Sequence, residues 1–364
     1  MTINLSVAAR VLRDKPARLD PVFEELEKRV VAGDLDTAAL AIGDADGGIR
    51  SEAFTRGNRE VTPDSYFFLA SVTKPIFATA FMRVVQEGLI GLDEPIARWL
   101  PEFRAGDKRL VTARHLLTHT SGVPDVSVDQ LARHRPSSAR MTRLALDAAL
   151  SHAPGTRYEY CTVTFYLLAD LIERVSGVTY REFLSQHLLD PLGMSATFDA
   201  RRARRPVVAV HGAGVDNRIV RFLMLRFLAG AALPGGGLFG TLDDLLRFGA
   251  ALLRPVSGPE GDPVPISTAT FAEMARDQLG GIPGLYDGQE RPVHFGLGWG
   301  KPTLMFDLPG SPSVVSHGGA TGTRLWIDPD AGLVFVFFTN RWAADRSPES
   351  AALRGTYRAM GGAV

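Results

Sequence analysis

The stretch FFLASVTKPIFA, Phe67 to Ala78, places Ser71 and Lys74 three residues apart inside an otherwise apolar run. The chain has only five lysines, so one of them in a segment that reads as buried calls for a reason. If the segment opens a helix, positions i and i+3 share a face and the hydroxyl meets the amine. A serine hydroxyl is a poor nucleophile until a neighbouring base takes its proton. A lysine serves as that base if burial lowers its pKa well below the reference of about 10.4. Phe67, Phe68, Leu69, Ile76 and Phe77 would supply the burial. A helix starting at the serine also aims backbone N–H groups at a developing oxyanion. Alone, the pattern is weak: a Ser-x-x-Lys arises by chance in roughly one chain in four of this composition.

Working outward, the two ends of the chain mirror each other. Asp20-Pro21 opens and Gly33 closes an amphipathic helix with Val22, Phe23, Leu26 and Val30 on one face. Thr37–Gly43, a turn at 44–48, and Ile49–Thr55 then read as a β-hairpin. Near the other end, Thr323–Asp328 and Leu333–Thr339 form a second hairpin around Pro329-Asp330-Ala331-Gly332, and a helix starts at Ser347-Pro348. Two such hairpins can pair into one antiparallel sheet covered by the flanking helices. Between them helical patterns dominate, at Pro75–Gln86, Ala113–Thr118, Thr162–Ser176, Tyr180–Leu188 and Thr241–Leu253. The expectation is an α/β part from about 1–75 and 290–364, with a mostly helical part from about 76–289. Pro234-Gly235-Gly236-Gly237 and 256–265 read as loops.

Composition narrows the function classes. The chain has 364 residues, 45% hydrophobic and 22% charged, which suits a globular protein with a sizeable core. Forty basic residues balance forty acidic ones, so no global field points to nucleic acid or an anionic membrane. The basic cluster Arg201-Arg202-Ala203-Arg204-Arg205 has no aromatic platform beside it and reads as a solvated loop. Charges at Arg10, Arg13, Asp14 and Lys15 interrupt any signal-peptide core. The longest strongly apolar run, around Gly332–Phe338, is strand-length, too short for a membrane helix. A single cysteine, Cys161, allows no internal disulfide. The reading is a cytoplasmic protein with a small neutral partner, and nothing in it decides between a monomer and a homo-oligomer.

Three more segments carry the chemistry further: RHLLTHTSGVPD (Arg114–Asp125), PGTRYEYCTVTFYLLA (Pro154–Ala169) and VVSHGGATGT (Val314–Thr323). With GLIGLDEPIARWLPEF (Gly88–Phe103) and GGLFGTLDDLLRFGAALL (Gly236–Leu253), the chain from about Asp34 onward resembles the serine β-lactamase and penicillin-recognising superfamily. The branch it resembles holds class C β-lactamases, D-amino-acid peptidases and family VIII carboxylesterases. The resemblance implies a β-lactamase-like α/β fold, with an antiparallel sheet, flanking helices and a helical subdomain forming a single catalytic unit.

The resemblance also implies roles. Ser71 matches the acylated nucleophile, Lys74 the lysine that helps deprotonate it, and Tyr160 the tyrosine that shuttles the proton. A phenol near a buried ammonium is expected to have its pKa pulled down. Tyr158 lies two residues away, but Pro154-Gly155 sets the register in favour of Tyr160. His317-Gly318-Gly319 matches the substrate-flanking strand motif, Lys-Thr-Gly in β-lactamases and His- or Trp-x-Gly in the esterases. The N–H groups of Ser71 and Ala320 fall where the oxyanion hole is placed.

Two departures point away from penicillins. Thr162 stands where the lactamase pattern has an asparagine, so it offers no amide to an acylamino carbonyl. His317 stands where it has a lysine and is largely uncharged at neutral pH. The implied activity is hydrolysis of small carboxylic esters. A D-amino-acid amidase or peptidase, an acyltransferase and a weak β-lactamase are the alternatives.

No cofactor or metal is called for. His115 and His119 are four apart, but no Glu or Cys supports a metal pair. Ser121 has Pro124 rather than a lysine at +3 and reads as a turn residue, and Cys161 as a small buried one. Trp299 either lines the pocket or fills the core. The Gly-x-Ser-x-Gly elbow of the other large esterase fold is absent from the chain. Pocket walls are expected from loops at 126–140 and 208–233.

Overall fold

Thr37–Asp44 (β1) is buried along its whole length, as is Leu333–Thr339 (β5). Such strands sit in the middle of a sheet covered on both faces. With Gly47–Thr55 (β2), Val315–Gly318 (β3) and Arg324–Asp328 (β4), they form a five-stranded antiparallel sheet in the order β2-β1-β5-β4-β3. The two hairpins expected at opposite ends of the chain therefore do pair. Ala38 faces Thr339 and Gly43 faces Val334 across the β1–β5 seam. This computed structural model describes residues 9–56, 60–126, 137–212, 216–255, 265–286 and 288–361.

The period-2 alternation of the strands divides their side chains between two cores. Ala38, Leu40, Ile42, Leu333, Phe335 and Phe337 point to the helices Asp20–Ala32 and Ser347–Ala359, meeting Val22, Phe23, Leu26 and Leu353. Trp326 donates its indole N–H to Tyr357 (3.1 Å), and Tyr357 donates to Asp328 (2.6 Å), fastening the terminal helix to β4. Asp20 is the first residue of its helix, and Gly33 closes that helix at φ 92°. Ala39, Ala41, Val334, Val336 and Phe338 point the other way, toward the helix Leu242–Leu253 and the helical layers beyond. Gly249 brings that helix close, because a Cβ there would stand 2.6 Å from Val334 Cγ1.

The helix Thr73–Gln86 lies at the heart of this larger core, with every side chain from Thr73 to Met82 buried. Thr164–Ser176 packs beside it, Phe165 meeting Phe77 edge-on at 5.9 Å. Elements absent from the sequence reading include the helices Ser138–Asp147, Arg218–Ala231 and Thr268–Ala275. A small sheet also joins Tyr158–Glu159 to Ile282–Tyr286 and Gln289–Val293. The segment 208–233, read as a loop, is largely the helix Arg218–Ala231, capped by Asn217.

Candidate active site

Ser71 sits in a tight 3₁₀ turn, Ala70–Val72, that feeds directly into the helix Thr73–Gln86. The entry is strained: Ala70 has φ 48°, a left-handed conformation that costs an alanine energy. Neighbouring backbone holds it there. Leu69 N–H donates to Leu238 O (2.9 Å), and Thr321 and Thr323 donate their hydroxyls to Phe68 O and Leu69 O (both 2.8 Å). The loop after β3 is thus stitched to the turn that carries the serine. Gly319 lies so close that a Cβ would stand 2.5 Å from Leu69 O.

Lys74 is fully buried. Its Nζ donates to Gly235 O (2.7 Å) and to Thr162 Oγ1 (3.2 Å) and lies 3.4 Å from Ser71 Oγ. It also sits over the rings of Tyr160 (4.7 Å) and Phe165 (5.4 Å). Burial lowers its pKa from 10.5 to about 7, against the opposing pull of Asp125. The amine therefore has a neutral, proton-accepting form near neutral pH. Gly235 makes the short contact possible, since a Cβ there would press on Phe165 at 2.9 Å.

Tyr160 follows the short strand Tyr158–Glu159, and its hydroxyl is hydrogen-bonded to Ser71. Here one expectation fails in sign. Desolvation raises the Tyr160 pKa above its ordinary value and outweighs the Ser71 hydrogen bond, which pulls the other way. Tyr160 is therefore a phenol that can relay or donate a proton, not a standing phenolate.

His317 is buried, and its Nδ1 lies 3.0 Å from Gly318 O. A carbonyl only accepts, so Nδ1 carries the proton and Nε2 is left as a lone pair. Burial, then Lys74, lowers its pKa to about 3, so it is neutral. A cavity of about 340 Å³ is lined by Tyr160, His317, Gly318, Gly319 and Ala320, together with Tyr158, Tyr286 and Phe295. A wider hollow of about 560 Å³ lies between the two terminal helices, lined by residues such as Val22, Leu26 and Ala352. That hollow is on the face of the sheet away from the Ser71 helix.

Two other residues stand differently from the substrate-binding reading. Trp299 is fully buried and stacks on Phe248 (6.3 Å, 9° between planes), so it fills the core. Thr162 turns its hydroxyl to Lys74. Of the expected wall at 126–140, residues 127–136 lie outside the described residues. Ser121 accepts from Val123 N–H (3.2 Å) as a turn residue. Cys161 is buried, and burial pushes its thiol pKa up. His115 caps its own helix with Thr112, and among the described residues no three His, Cys, Asp or Glu side chains gather as metal ligands.

Two residues of the site were given no role in it from sequence, His119 having been weighed only as half of a metal pair. His119, fully buried with φ 59°, accepts from Cys161 N–H through Nδ1 (3.2 Å) and packs its ring 4.5 Å from that of Tyr160. Burial, then Lys74 and His317, holds its pKa well below the ordinary value, so it adds no charge. Asp125 accepts from Val163 N–H (3.1 Å) and joins the segment before Thr164–Ser176 to the His119 loop. The sequence signal for Asp125 was membership in RHLLTHTSGVPD, to which His119 added only its spacing from His115.

A buried amine titrating near 7, a hydroxyl and a phenol converge beside a cavity whose lining also includes Arg346 and Arg324, the latter paired with Glu349 (2.6 Å). The Beta-lactamase family model matches residues 23–357. The chain belongs to the Beta-lactamase family. It is 31% identical over 374 residues to Esterase EstB of Burkholderia gladioli, covering 89% of this chain and 90% of that esterase. It is 29% identical over 288 residues to Penicillin-binding protein 4 of Amycolatopsis lactamdurans, covering 77% of this chain and 73% of that protein. The solved structure of EstCE1, described as a hydrolase with promiscuous acyltransferase activity, aligns with a TM-score of 0.72 at 20% identity. That alignment covers 94% of this chain and 99% of EstCE1, and it speaks for the fold. The protein is a serine hydrolase of the Beta-lactamase family. Among the described residues no helix is long and apolar enough to cross a membrane.

Proposed function

We propose that this serine hydrolase is a carboxylesterase that cleaves small carboxylic esters through an acyl-Ser71 intermediate. Ser71 Oγ attacks the ester carbonyl while its proton passes to the neutral Lys74 amine. The N–H groups of Ser71 and Ala320 hold the oxyanion. Tyr160 gives its hydroxyl proton to the departing alkoxide and regains one from Lys74. Water then attacks the acyl carbon, its proton returns through the same groups to Ser71 Oγ, and the acid leaves.

The observation that supports the ester reading most is the neutral His317 beside Tyr160, its pKa held near 3. At that position it offers no cation to the carboxylate of a β-lactam or of a peptide terminus, so the cavity's cations are confined to Arg346 and the Glu349-paired Arg324. Thr162, occupied by Lys74, adds no amide recognition. The esterase among the relatives agrees with this reading.

Ser71→Ala is expected to abolish hydrolysis of a short-chain p-nitrophenyl ester and labelling by a fluorophosphonate probe. Retained turnover, or a probe adduct elsewhere, would sink the assignment. Faster turnover of nitrocefin or D-alanyl amides than of short-chain esters would overturn the ester preference alone.

A further inference from the structure

Among the described residues, nine large hydrophobic side chains are exposed, and four of them share one helix. Ile219 (70% exposed), Val220 (43%), Phe222 (57%) and Leu223 (57%) form the outer side of Arg218–Ala231. The inner side, with Met224, Leu225, Phe227 and Leu228, packs in a small core against Ala200, Ala203 and Phe239. That shared core sets the helix beside the basic stretch Arg201–Arg205. Arg218, Arg221 and Arg226 lie on the helix, which carries no Asp or Glu. Arg202, Arg204 and Arg205 of that stretch are exposed beside the helix, while Arg201 is paired with Asp199. The nearest carboxylates in sequence are engaged locally, Asp199 with Arg201 (2.7 Å) and Asp216 with His211 (3.1 Å). The chain is neutral as a whole, but this face is not.

We propose that this face is a docking surface for an anionic lipid bilayer, the helix lying in the interface with Ile219, Phe222 and Leu223 inserted and the arginines on the headgroups. An apolar stripe bordered by arginine is the composition of an interfacial helix. A second copy of the chain fits poorly, because a symmetric contact would set arginine against arginine. The surface departs from the expectation of no membrane partner, which rested on a charge count over the whole chain. The helix ends four residues before Gly235, whose carbonyl holds Lys74.

The test is co-sedimentation of the full chain with phosphatidylcholine vesicles, with and without one third phosphatidylglycerol. The expected result is binding to the anionic vesicles only, weakening as salt rises. Phe222→Glu with Leu223→Glu should abolish it. Replacing Arg202, Arg204 and Arg205 by Gln should weaken it on the order of a hundredfold. Both variants should keep the wild-type circular dichroism spectrum and thermal midpoint, since these side chains are exposed. Equal binding to both vesicle types, no binding, or binding untouched by either variant set overturns the proposal. So does a dimer broken by Phe222→Glu in a protein that ignores vesicles.

Discussion

Lys74 concentrates the chemistry of the site in one titration. Its ammonium form cannot take the Ser71 proton, so kcat/KM for a short-chain ester should rise with pH through about 7 and level off above it. A pH profile checks this, and a rate flat from pH 5 to 9 would remove Lys74 as the base. The same burial weakens the fold. The folded pKa lies below the unfolded value of 10.5, so the penalty is complete below pH 7 and is relieved as pH rises toward 10.5. Lys74→Met should therefore be inactive yet more stable, on the order of 1–2 kcal/mol. Thermal unfolding should show the gain largest below pH 7 and fading toward pH 10. The buried amine was legible in the apolar flanks of Ser71 and Lys74. The rise in the Tyr160 pKa was not, because the burial comes from residues far away in sequence, His119 and Phe295 among them.

At the scale of elements, the contact between the loop after β3 and the Ser71 turn governs alignment of the reacting groups. Gly319→Ala would force a Cβ against Leu69 O at 2.5 Å and Thr323 Oγ1 at 2.1 Å. It should lower kcat/KM on the order of a hundredfold by displacing the turn. Gly249→Val presses on Val334, away from the site, and should cost about 1–3 kcal/mol in stability while keeping activity per folded molecule. Kinetics and urea unfolding of the two variants separate site geometry from packing. Strands that are short apolar runs bounded by turn residues, such as Arg324–Asp328 and Leu333–Thr339, were readable. Ile282–Tyr286 and Gln289–Val293 were not, since Pro283, Gly284 and Pro292 interrupt any strand pattern. The helix Arg218–Ala231 escaped because large apolar residues occupy both its outer side, at Ile219, Phe222 and Leu223, and its inner side, at Phe227 and Leu228.

Across the whole molecule, the pairing of the two ends was legible because each hairpin is local and each is flanked by a helix with a clear start. The site at the sheet's edge needed segments that meet only in three dimensions: Ser71, Tyr160, Gly235 and His317. The β1–β5 seam has a consequence for synthesis. β5 is translated about 290 residues after β1. At ribosomal speeds this leaves the first hairpin without its central neighbour for roughly 15–60 s. Throughout that interval β1 presents an open hydrogen-bonding edge and, on the side later closed by Leu242–Leu253, an uncovered apolar face, an invitation to mispairing. Yield of active protein in the cell should therefore respond to trigger-type holding chaperones and to slower, cooler expression more than the finished protein's stability would suggest.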